Sequence, residues 1–416
     1  MHVAQHILAG THTVWAAFQL ACQQLSCTHL GSRLLSNSER DHQAPPIATG
    51  ESQLRVLHIP DYRSANPYQT ALLAEFEDAN IEVFATNPEG AFPLIQSYVA
   101  NGNPDIIHLH WIHRLFISNR GYGPVVTGIL GIRLIAELLL LRFAGVSIVW
   151  TVHNLYDHER IAPRIERLIR CGCARIVHRL IVHCPEAASE TRRAYRLGYL
   201  NQTEIAIIPH GNYDDFYPQT GTKVEARDAL NIHHDSQVLL YFGLIRPYKN
   251  VDGLLETFRT LDVDATLLVV GNPWTPEIRT EIEQLAASDD RVRVQLAFIP
   301  TNDVSTYFQA ADAIVLPFSG VLTSGSAILA MTFGRALIAP RTGCIPSLIG
   351  NNHGGISYDP QNADGLDAAI TKACESSNQL HQMGTRNRRV ADTLAWESIG
   401  RQTATVYTEV RNERRH

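Results

Sequence analysis

Two α/β units with a cleft between them are the fold class this sequence predicts. Each would be a parallel sheet covered by helices on both faces. Three observations carry the prediction. Short apolar strands alternate with segments of helical spacing from Leu54 to Arg411. The alternation runs twice, broken by a polar stretch at 212–221, NYDDFYPQTG. A chain of 416 residues, 45% hydrophobic and 18% charged, is long enough for two full cores.

In the first series the strands are Leu54 to Pro60, Ile81 to Ala85, Asp105 to His110, Val146 to Val152, Arg179 to Cys184 and Ile205 to Pro209. Helical spacing marks Tyr68 to Ala79, Leu94 to Ala100, Pro163 to Cys171 and Pro185 to Leu197. The second series has strands at Gln237 to Phe242, Ala265 to Gly271, Val292 to Leu296, Ala313 to Leu316 and Ala336 to Ala339. Its helices are Val251 to Leu261, Pro276 to Ser288 and Ala327 to Phe333, then Ala363 to Glu375, Leu380 to Thr393 and Trp396 to Arg411. This pattern divides the chain into an N-terminal extension at 1–50, a first domain at 51–215, a second at 216–395, and a C-terminal helix with a basic tail at 396–416. Within the extension, the polar, Pro-containing stretch 36–50 reads as a linker or disordered segment.

A formal charge of −6 argues against a dedicated nucleic-acid binder. The seven cysteines are odd in number and lack zinc spacing, which reads as reduced thiols in a cytoplasmic protein. Nineteen histidines are dispersed without an HExxH, so no metal site is expected. No run of about 18 uncharged apolar residues exists, so no transmembrane span is expected. The apolar segment Val125 to Val146 contains Arg133, Glu137 and Arg142 and reads as a half-buried helix. Arg133 and Glu137 are spaced to pair on it, and such a helix is compatible with a surface that leans on a membrane.

Ligands of open parallel sheets bind outside the carboxyl ends of the strands. The first half offers Asp61, Arg63, Ser64 and Asn66, then His110, Trp111 and His113, then His153, Asn154, Asp157, His158 and Glu159. The second half offers Gly243, Arg246 and Lys249, then Asn272 and Pro273, then Thr323, Ser324, Gly325 and Ser326. Acid/base groups dominate the first set; glycine, hydroxyls and cations dominate the second. The loop 323–326 lies where a helix starts, so it serves equally as an anion seat or as a plain helix cap. Arg246 and Lys249, three apart before a helix, could clamp a diphosphate or form a solvated charge pair.

Phe242 to Leu255, FGLIRPYKNVDGLL, resembles the G-x-x-x-x-x-K-N segment of nucleotide-sugar glycosyltransferases with the GT-B fold, family 4 in particular. LLVVGNP (267–273), Ala311-Asp312 with Val315-Leu316-Pro317, and Gly334 with 336–340 are similar to later segments of those enzymes. VWTVHNLYDHE (149–159) and HLHW (108–111) resemble acceptor-side motifs of polysaccharide glycosyltransferases. The resemblance implies two Rossmann-like domains facing a cleft. It implies a donor site of Gly243, Arg246, Lys249, Asn272, Pro273 and Thr323 to Ser326. Asn66, His110, Trp111, Asn154 and His158 would then serve the acceptor, and Asp157, Glu159, His153 and Asp61 are candidates for the base. Family 4 carries two glutamates seven residues apart; here Val321 and Leu329 stand at those positions. Their loss raises the prospect of inverting chemistry, with a base acting in line with the leaving diphosphate.

The expected activity is transfer of a hexose from a nucleoside-diphosphate sugar to a glycan or lipid-linked acceptor, with no cofactor and no metal. The expected location is cytoplasmic, with peripheral contact at the inner membrane face. An epimerase or hydrolase of the same fold, or a non-catalytic nucleotide- or glycan-binding protein, are the alternatives.

Overall fold

The structure is a computed structural model and describes residues 53–64, 66–77, 80–118, 123–157, 161–198, 203–350 and 353–414. The extension at 1–50 and the candidates His158 and Glu159 lie outside the described residues.

The first domain runs β1 (Leu54–Ile59), α1 (Pro67–Ala74), β2 (Ile81–Ala85), α2 (Pro93–Ala100), β3 (Ile106–Leu109), α3 (Gly123–Phe143), β4 (Ser147–Thr151), α4 (Pro163–Ile176), β5 (Arg179–Val182), α5 (Pro185–Ala194) and β6 (Glu204–Ile207). The second runs α6 (Lys223–Ala229), β7 (Gln237–Phe242), α7 (Val251–Thr260), β8 (Ala265–Val270), α8 (Pro276–Ala286), β9 (Val292–Gln295), α9 (Val304–Ala310), β10 (Ala313–Val315), α10 (Gly325–Thr332), β11 (Ala336–Pro340), α11 (Ile345–Ile349), β12 (Gly355–Tyr358), α12 (Gly365–Glu375) and α13 (Ser377–Asp392). A last helix, α14 (Trp396–Glu413), ends the described chain. The elements α6, α9, α11 and β12 are additions to the sequence reading. They are short, and periodicity over four to seven residues is too brief to separate from a loop.

Each sheet has six strands, ordered β2-β1-β3-β4-β5-β6 and β12-β11-β10-β7-β8-β9. Every strand pairing among the described residues is parallel. Strands β3, β4 and β5 are buried along their whole length, as expected of strands covered on both faces. Five helices, α1, α2, α4, α5 and α8, open on a proline. Proline suits a first helical position because its missing N–H has no intrahelical partner there anyway.

Helix α14 crosses back onto the first domain. Tyr407 is fully buried in a cluster with Val56, Ile106, Val149 and Trp396. Trp396 donates its indole N–H to the Asn212 carbonyl at 2.8 Å, and the Ser147 hydroxyl donates to Val410. The C-terminal helix is thus part of the first domain's core, although it follows the second domain in sequence.

Helix α3 is 21 residues long and contains an 18-residue stretch with a mean hydropathy of 2.0, long and apolar enough to cross a membrane. Its Leu134, Leu138 and Leu141 are buried in the first domain, whereas Val125, Ile129, Ile132 and Phe143 are exposed. It packs beside α4 so closely that a Cβ on Gly131 would lie 2.0 Å from the Ile169 side chain.

Candidate active site

In both sheets the strand order reverses once, between β1 and β3 and between β7 and β10. Those switch points are where parallel sheets open a crevice at their carboxyl ends. In the first domain the crevice is floored by histidine. His58 stands opposite His108 in the β1–β3 register. The two-residue period of a strand then carries His110 to the same side as His108. His153, His183 and His210 follow the ends of β4, β5 and β6. Dispersed in sequence, these six rings meet around Tyr68, Trp111 and Tyr407.

His153 is half-buried at the crevice wall, with Trp111 stacked on it at 4.1 Å. Trp111 holds a left-handed backbone, φ 31° and ψ 51°, a costly conformation for a bulky residue. His110 sits behind His153, fully buried, with both ring nitrogens engaged. It backs the wall and does not reach an acceptor, which corrects the role the resemblance implied for it. His183 and His210 each turn Nδ1 onto a backbone carbonyl, of Ile208 and Gly211 respectively. Asn66 caps α1, its side chain accepting from the Tyr68 N–H at 3.0 Å, and still lines the crevice. Asp61 is clasped by Arg63 at 2.8 Å, and that hydrogen-bonded guanidinium holds its carboxyl below the usual range.

Across the crevice the loops after β7 and β8 form a second wall. Gly243 and Gly271 lie back to back; a Cβ on Gly271 would fall 1.7 Å from the Gly243 carbonyl oxygen. Ile245 bridges Pro273, donating its N–H to the Asn272 carbonyl and accepting from the Trp274 N–H. This pairing seats the Arg246 guanidinium 3.9 Å over the Trp274 ring. The Arg246 Nε is buried without a hydrogen-bond partner, as are the Nε atoms of Arg133, Arg179 and Arg335. Lys249 extends its ammonium to 3.7 Å over the Phe318 ring. Burial, and then the nearby Arg246, push its pKa down to about 7. Neither cation has a carboxylate partner among the described residues.

Ser324 is the cap of α10, its hydroxyl accepting from the Ala327 N–H at 3.2 Å. The capping alternative therefore holds for the Ser324 side chain. The helix end that it caps nonetheless opens on the crevice, with Thr323, Ser324 and Gly325 lining a cavity of about 230 Å³ together with Asn66, His153 and Lys249. Gly325 has no room for a side chain, because a Cβ there would be 2.7 Å from the Tyr213 hydroxyl. Ser326 stands beside Gly243, and Asn272 is exposed at the rim.

An adjoining cavity of about 510 Å³ is lined by Asn154, Asp157, Glu190, Tyr248, Val321 and Thr342, among others. Asn154, Tyr248, Val321 and Leu322 border both cavities, so the two form one cleft between the domains. Sequence reasoning does not find Glu190; it lies on α5, away from any strand end, and burial raises its pKa. His210 is a second omission, although the strand-end rule applied to β6 would find it. Val321 faces the cleft, whereas Leu329 is turned into the core of the second domain. The position of the second family glutamate thus carries a packing residue here.

The expectation of seven reduced thiols is overturned. Cys184 and Cys344 form a disulfide across the two domains, while Cys171, Cys173 and Cys374 are free. Cysteine spacing along a chain does not reveal partners 160 residues apart.

Residues 222–390 match the family model for glycosyl transferases group 1. The GDP-mannose:glycolipid 4-beta-D-mannosyltransferase of Xanthomonas campestris pv. campestris is 32% identical over 285 residues, 67% of this chain and 70% of that one. The chain belongs to the group 1 glycosyltransferases. This glycosyltransferase is also 24% identical to the D-inositol 3-phosphate glycosyltransferase of Streptomyces scabiei over 292 residues, 65% of this chain and 64% of that one. Its fold is that of sucrose-phosphate synthase from Thermosynechococcus elongatus, with a TM-score of 0.68 and 19% identity over 86% of this chain and 99% of that chain. HepE of Anabaena, solved with UDP and glucose, gives a TM-score of 0.62 at 14% identity over 86% of this chain and 100% of that one. The glycosyltransferase therefore has the two-domain GT-B architecture.

Proposed function

We propose that this glycosyltransferase moves a hexose from a nucleoside-diphosphate sugar to a hydroxyl of a lipid-linked saccharide, with inversion and without a metal. The observation that carries the reading is the facing of two unlike walls. Arg246, Lys249 and the N-terminus of α10 supply cations and free N–H groups for a leaving diphosphate. His153 and Asp157 line the opposite wall, where a base must stand to deprotonate the acceptor. Charge on the departing diphosphate is neutralised by groups already fixed in place, which is the work a divalent cation does elsewhere.

GDP-mannose is the donor we favour, by similarity to the Xanthomonas mannosyltransferase. That relative's name specifies a beta product. GDP-mannose is an alpha-linked donor, so a beta product requires inversion. Inversion also agrees with Val321 and Leu329 standing where retaining relatives carry glutamates.

A lipid-linked acceptor suits the outer surface of the first domain. Val125, Ile129, Ile132 and Phe143 of α3 and Leu168 of α4 are exposed. Arg164, Arg167, Arg175 and Arg196 surround Leu168. Exposed apolar side chains together with an arginine cluster beside Leu168 match an anionic bilayer surface.

Transfer assays with a panel of nucleoside-diphosphate hexoses and lipid-linked saccharides, with and without EDTA, test the proposal. Transfer that survives EDTA and gives a product of inverted anomeric configuration is the expected result. A retained configuration, loss of transfer in EDTA, or release of free sugar alone would overturn it.

A further inference from the structure

Behind His153 the first domain buries a continuous run of hydrogen bonds. The His153 Nε2 is 3.1 Å from the His110 Nδ1, and the His110 Nε2 is 3.0 Å from the His58 Nδ1. The His58 Nε2 is 3.2 Å from the Tyr407 hydroxyl, which is 2.6 Å from the His108 Nδ1. The His108 Nε2 is 2.7 Å from the Thr151 hydroxyl, which in turn pairs with the Tyr68 hydroxyl. His58, His108, His110, Thr151 and Tyr407 are all fully buried.

Ring nitrogens of His58, His108 and His110 lie within 4.8 Å of one another, close enough for a metal-ligand set. All six of those nitrogens already have a hydrogen-bond partner, so no lone pair is left for an ion. The cluster is a hydrogen-bonded chain.

Burial keeps its rings neutral. The His58 pKa is pushed down to about 3, by burial first and then by Arg63. Burial, followed by neighbouring imidazoles, also holds His108, His110 and His153 well below the ordinary histidine value. A neutral imidazole has one N–H and one lone pair, and a tyrosine hydroxyl has one hydrogen. Each ring therefore passes the direction of one bond to the next, and Tyr407 does so as long as its one hydrogen is spent inside the chain. Two orderings satisfy every member. In the inward one, His153 donates from Nε2 to His110 and each group donates to the next, ending at Thr151. In the outward one all bonds reverse, and the His153 hydrogen sits on Nδ1, the ring nitrogen that His110 does not engage.

The cleft chooses between them. Lys249 and the N-terminal end of α10 line the same cavity as His153 and present positive charge and donors. A lone pair facing them is favoured over a further N–H, and a chain of bonds that polarise one another passes that preference inward. His183, His210 and Tyr68 also pack against His153 and add no full negative charge.

We infer that the chain stands in the inward ordering, so that His153 offers an Nδ1 lone pair to the acceptor hydroxyl, with Tyr407 and His58 as positioning residues. The role as base rests on the glycosyl-transfer reading; the ordering does not. In the step, the acceptor O–H proton passes to His153 Nδ1 and the acceptor oxygen bonds the sugar C1. The C1–O bond to the diphosphate breaks, with its electron pair leaving on the diphosphate. The resulting imidazolium donates a charge-assisted Nε2–H bond to His110 until its proton returns to water. Tyr407 reaches this chain from α14, the last helix of the described residues.

The test is nitrogen-15 NMR of the full chain labelled at histidine, with His153 assigned by its loss in His153→Asn. The wild type is expected to show His153 protonated at Nε2 and bare at Nδ1. Tyr407→Phe keeps the ring and removes the hydroxyl, and it is expected to give His153 as a mixture of tautomers. In transfer assays the same variant is expected to lose about tenfold or more in kcat, with both KM values within about twofold. Thr151→Val breaks the far end of the chain and carries the same test if Tyr407→Phe does not fold. An Nδ1–H on wild-type His153, or a variant with an unchanged tautomer and kcat, would overturn the inference. If no donor supports transfer, the glycosyl-transfer reading falls, while the tautomer spectrum still decides the ordering.

Discussion

Cys184, just after β5 of the first domain, and Cys344, just after β11 of the second, are joined by a disulfide with their Cα atoms 5.6 Å apart. The bond spans the cleft beside the loop 323–326, since Cys344 Sγ lies 3.9 Å from the Thr323 hydroxyl. It closes a loop of 160 residues. Cross-links of long loops typically stabilise by about 2–4 kcal/mol, largely by restricting the unfolded chain. Dithiothreitol is therefore expected to lower the melting temperature by several degrees. Cys344→Ser is expected to melt at the reduced protein's temperature with or without reductant. Equal melting of oxidised, reduced and Cys344→Ser protein in differential scanning fluorimetry would contradict a tether between the domains.

If Lys249 meets the donor diphosphate as proposed, donor binding is expected to depend on pH. Its pKa of about 7 in the free protein comes from burial and from Arg246. A diphosphate beside it favours the charged form and raises that pKa. Binding is then tightest at and below pH 7 and weakens as pH rises above it, by up to about tenfold per unit, until the bound-state pKa is reached. The phosphates of a nucleoside-diphosphate sugar are fully ionised throughout this window and contribute no slope. Calorimetry from pH 6 to 9 should show this fall in affinity, with proton uptake on binding near pH 8. Lys249→Met should bind weakly and without slope, and a slope that survived in Lys249→Met would move the effect to another group.

Much of this molecule is legible in its sequence because strand and helix periods are local. Val238 to Phe242 and Ala265 to Gly271 read as strands from a few neighbours each, and the strand-end rule then finds Arg246, Lys249 and the loop 323–326. The remainder depends on partners distant in sequence. Nothing near Tyr407 signals that its hydroxyl meets His58, 349 positions away. His110 reads as a strand-end residue and is one, but only the packing of His153 in front of it removes it from the surface. Ser324 cannot be assigned from sequence alone, because one helix end offers different groups: its hydroxyl caps, while the loop lines the cleft.

Glu137 shows the same limit in another form. The spacing to Arg133 predicts a pair, and the two lie 3.5 Å apart on α3. Glu137 also accepts from the Leu94 and Ile95 N–H groups at 2.9 and 3.2 Å, satisfying the first turn of α2. Burial outweighs these partners and raises its carboxyl from 4.5 to about 7. A raised folded-state pKa means that the protonated form stabilises the fold fully below about pH 4.5, and that this contribution is lost as pH rises through about 7. A shift of this size corresponds to about 3 kcal/mol. The difference in stability between wild type and Glu137→Gln should therefore change across that window and be flat above it. Urea unfolding from pH 4.5 to 8.5 measures it, and a constant difference across the range would assign Glu137 an ionised state throughout.

Gly271 has no space for a side chain. It follows β8, and any Cβ there would meet the Gly243 carbonyl oxygen at 1.7 Å, a backbone atom with no flexible end to yield. The loop after β7 must then move, and it carries Arg246 with it. Arg246 is seated by the pairing of Ile245 with Asn272 and Pro273 and by the Trp274 ring beneath its guanidinium, and these last three residues directly succeed Gly271. Gly271→Ala is expected to cost about 1–3 kcal/mol of stability, as overpacking does. It should also weaken nucleoside-diphosphate binding by about tenfold or more, since a guanidinium moved by an ångström loses its charge-assisted bonds. Gly198→Ala, where nothing lies within 4 Å of the added Cβ, provides the matched control and should bind nucleotide like wild type. Calorimetric titration with GDP and UDP, alongside urea unfolding of both variants, separates the two effects. A Gly271→Ala protein that lost stability but bound either nucleotide at wild-type strength would uncouple the β7 and β8 loops from the donor site.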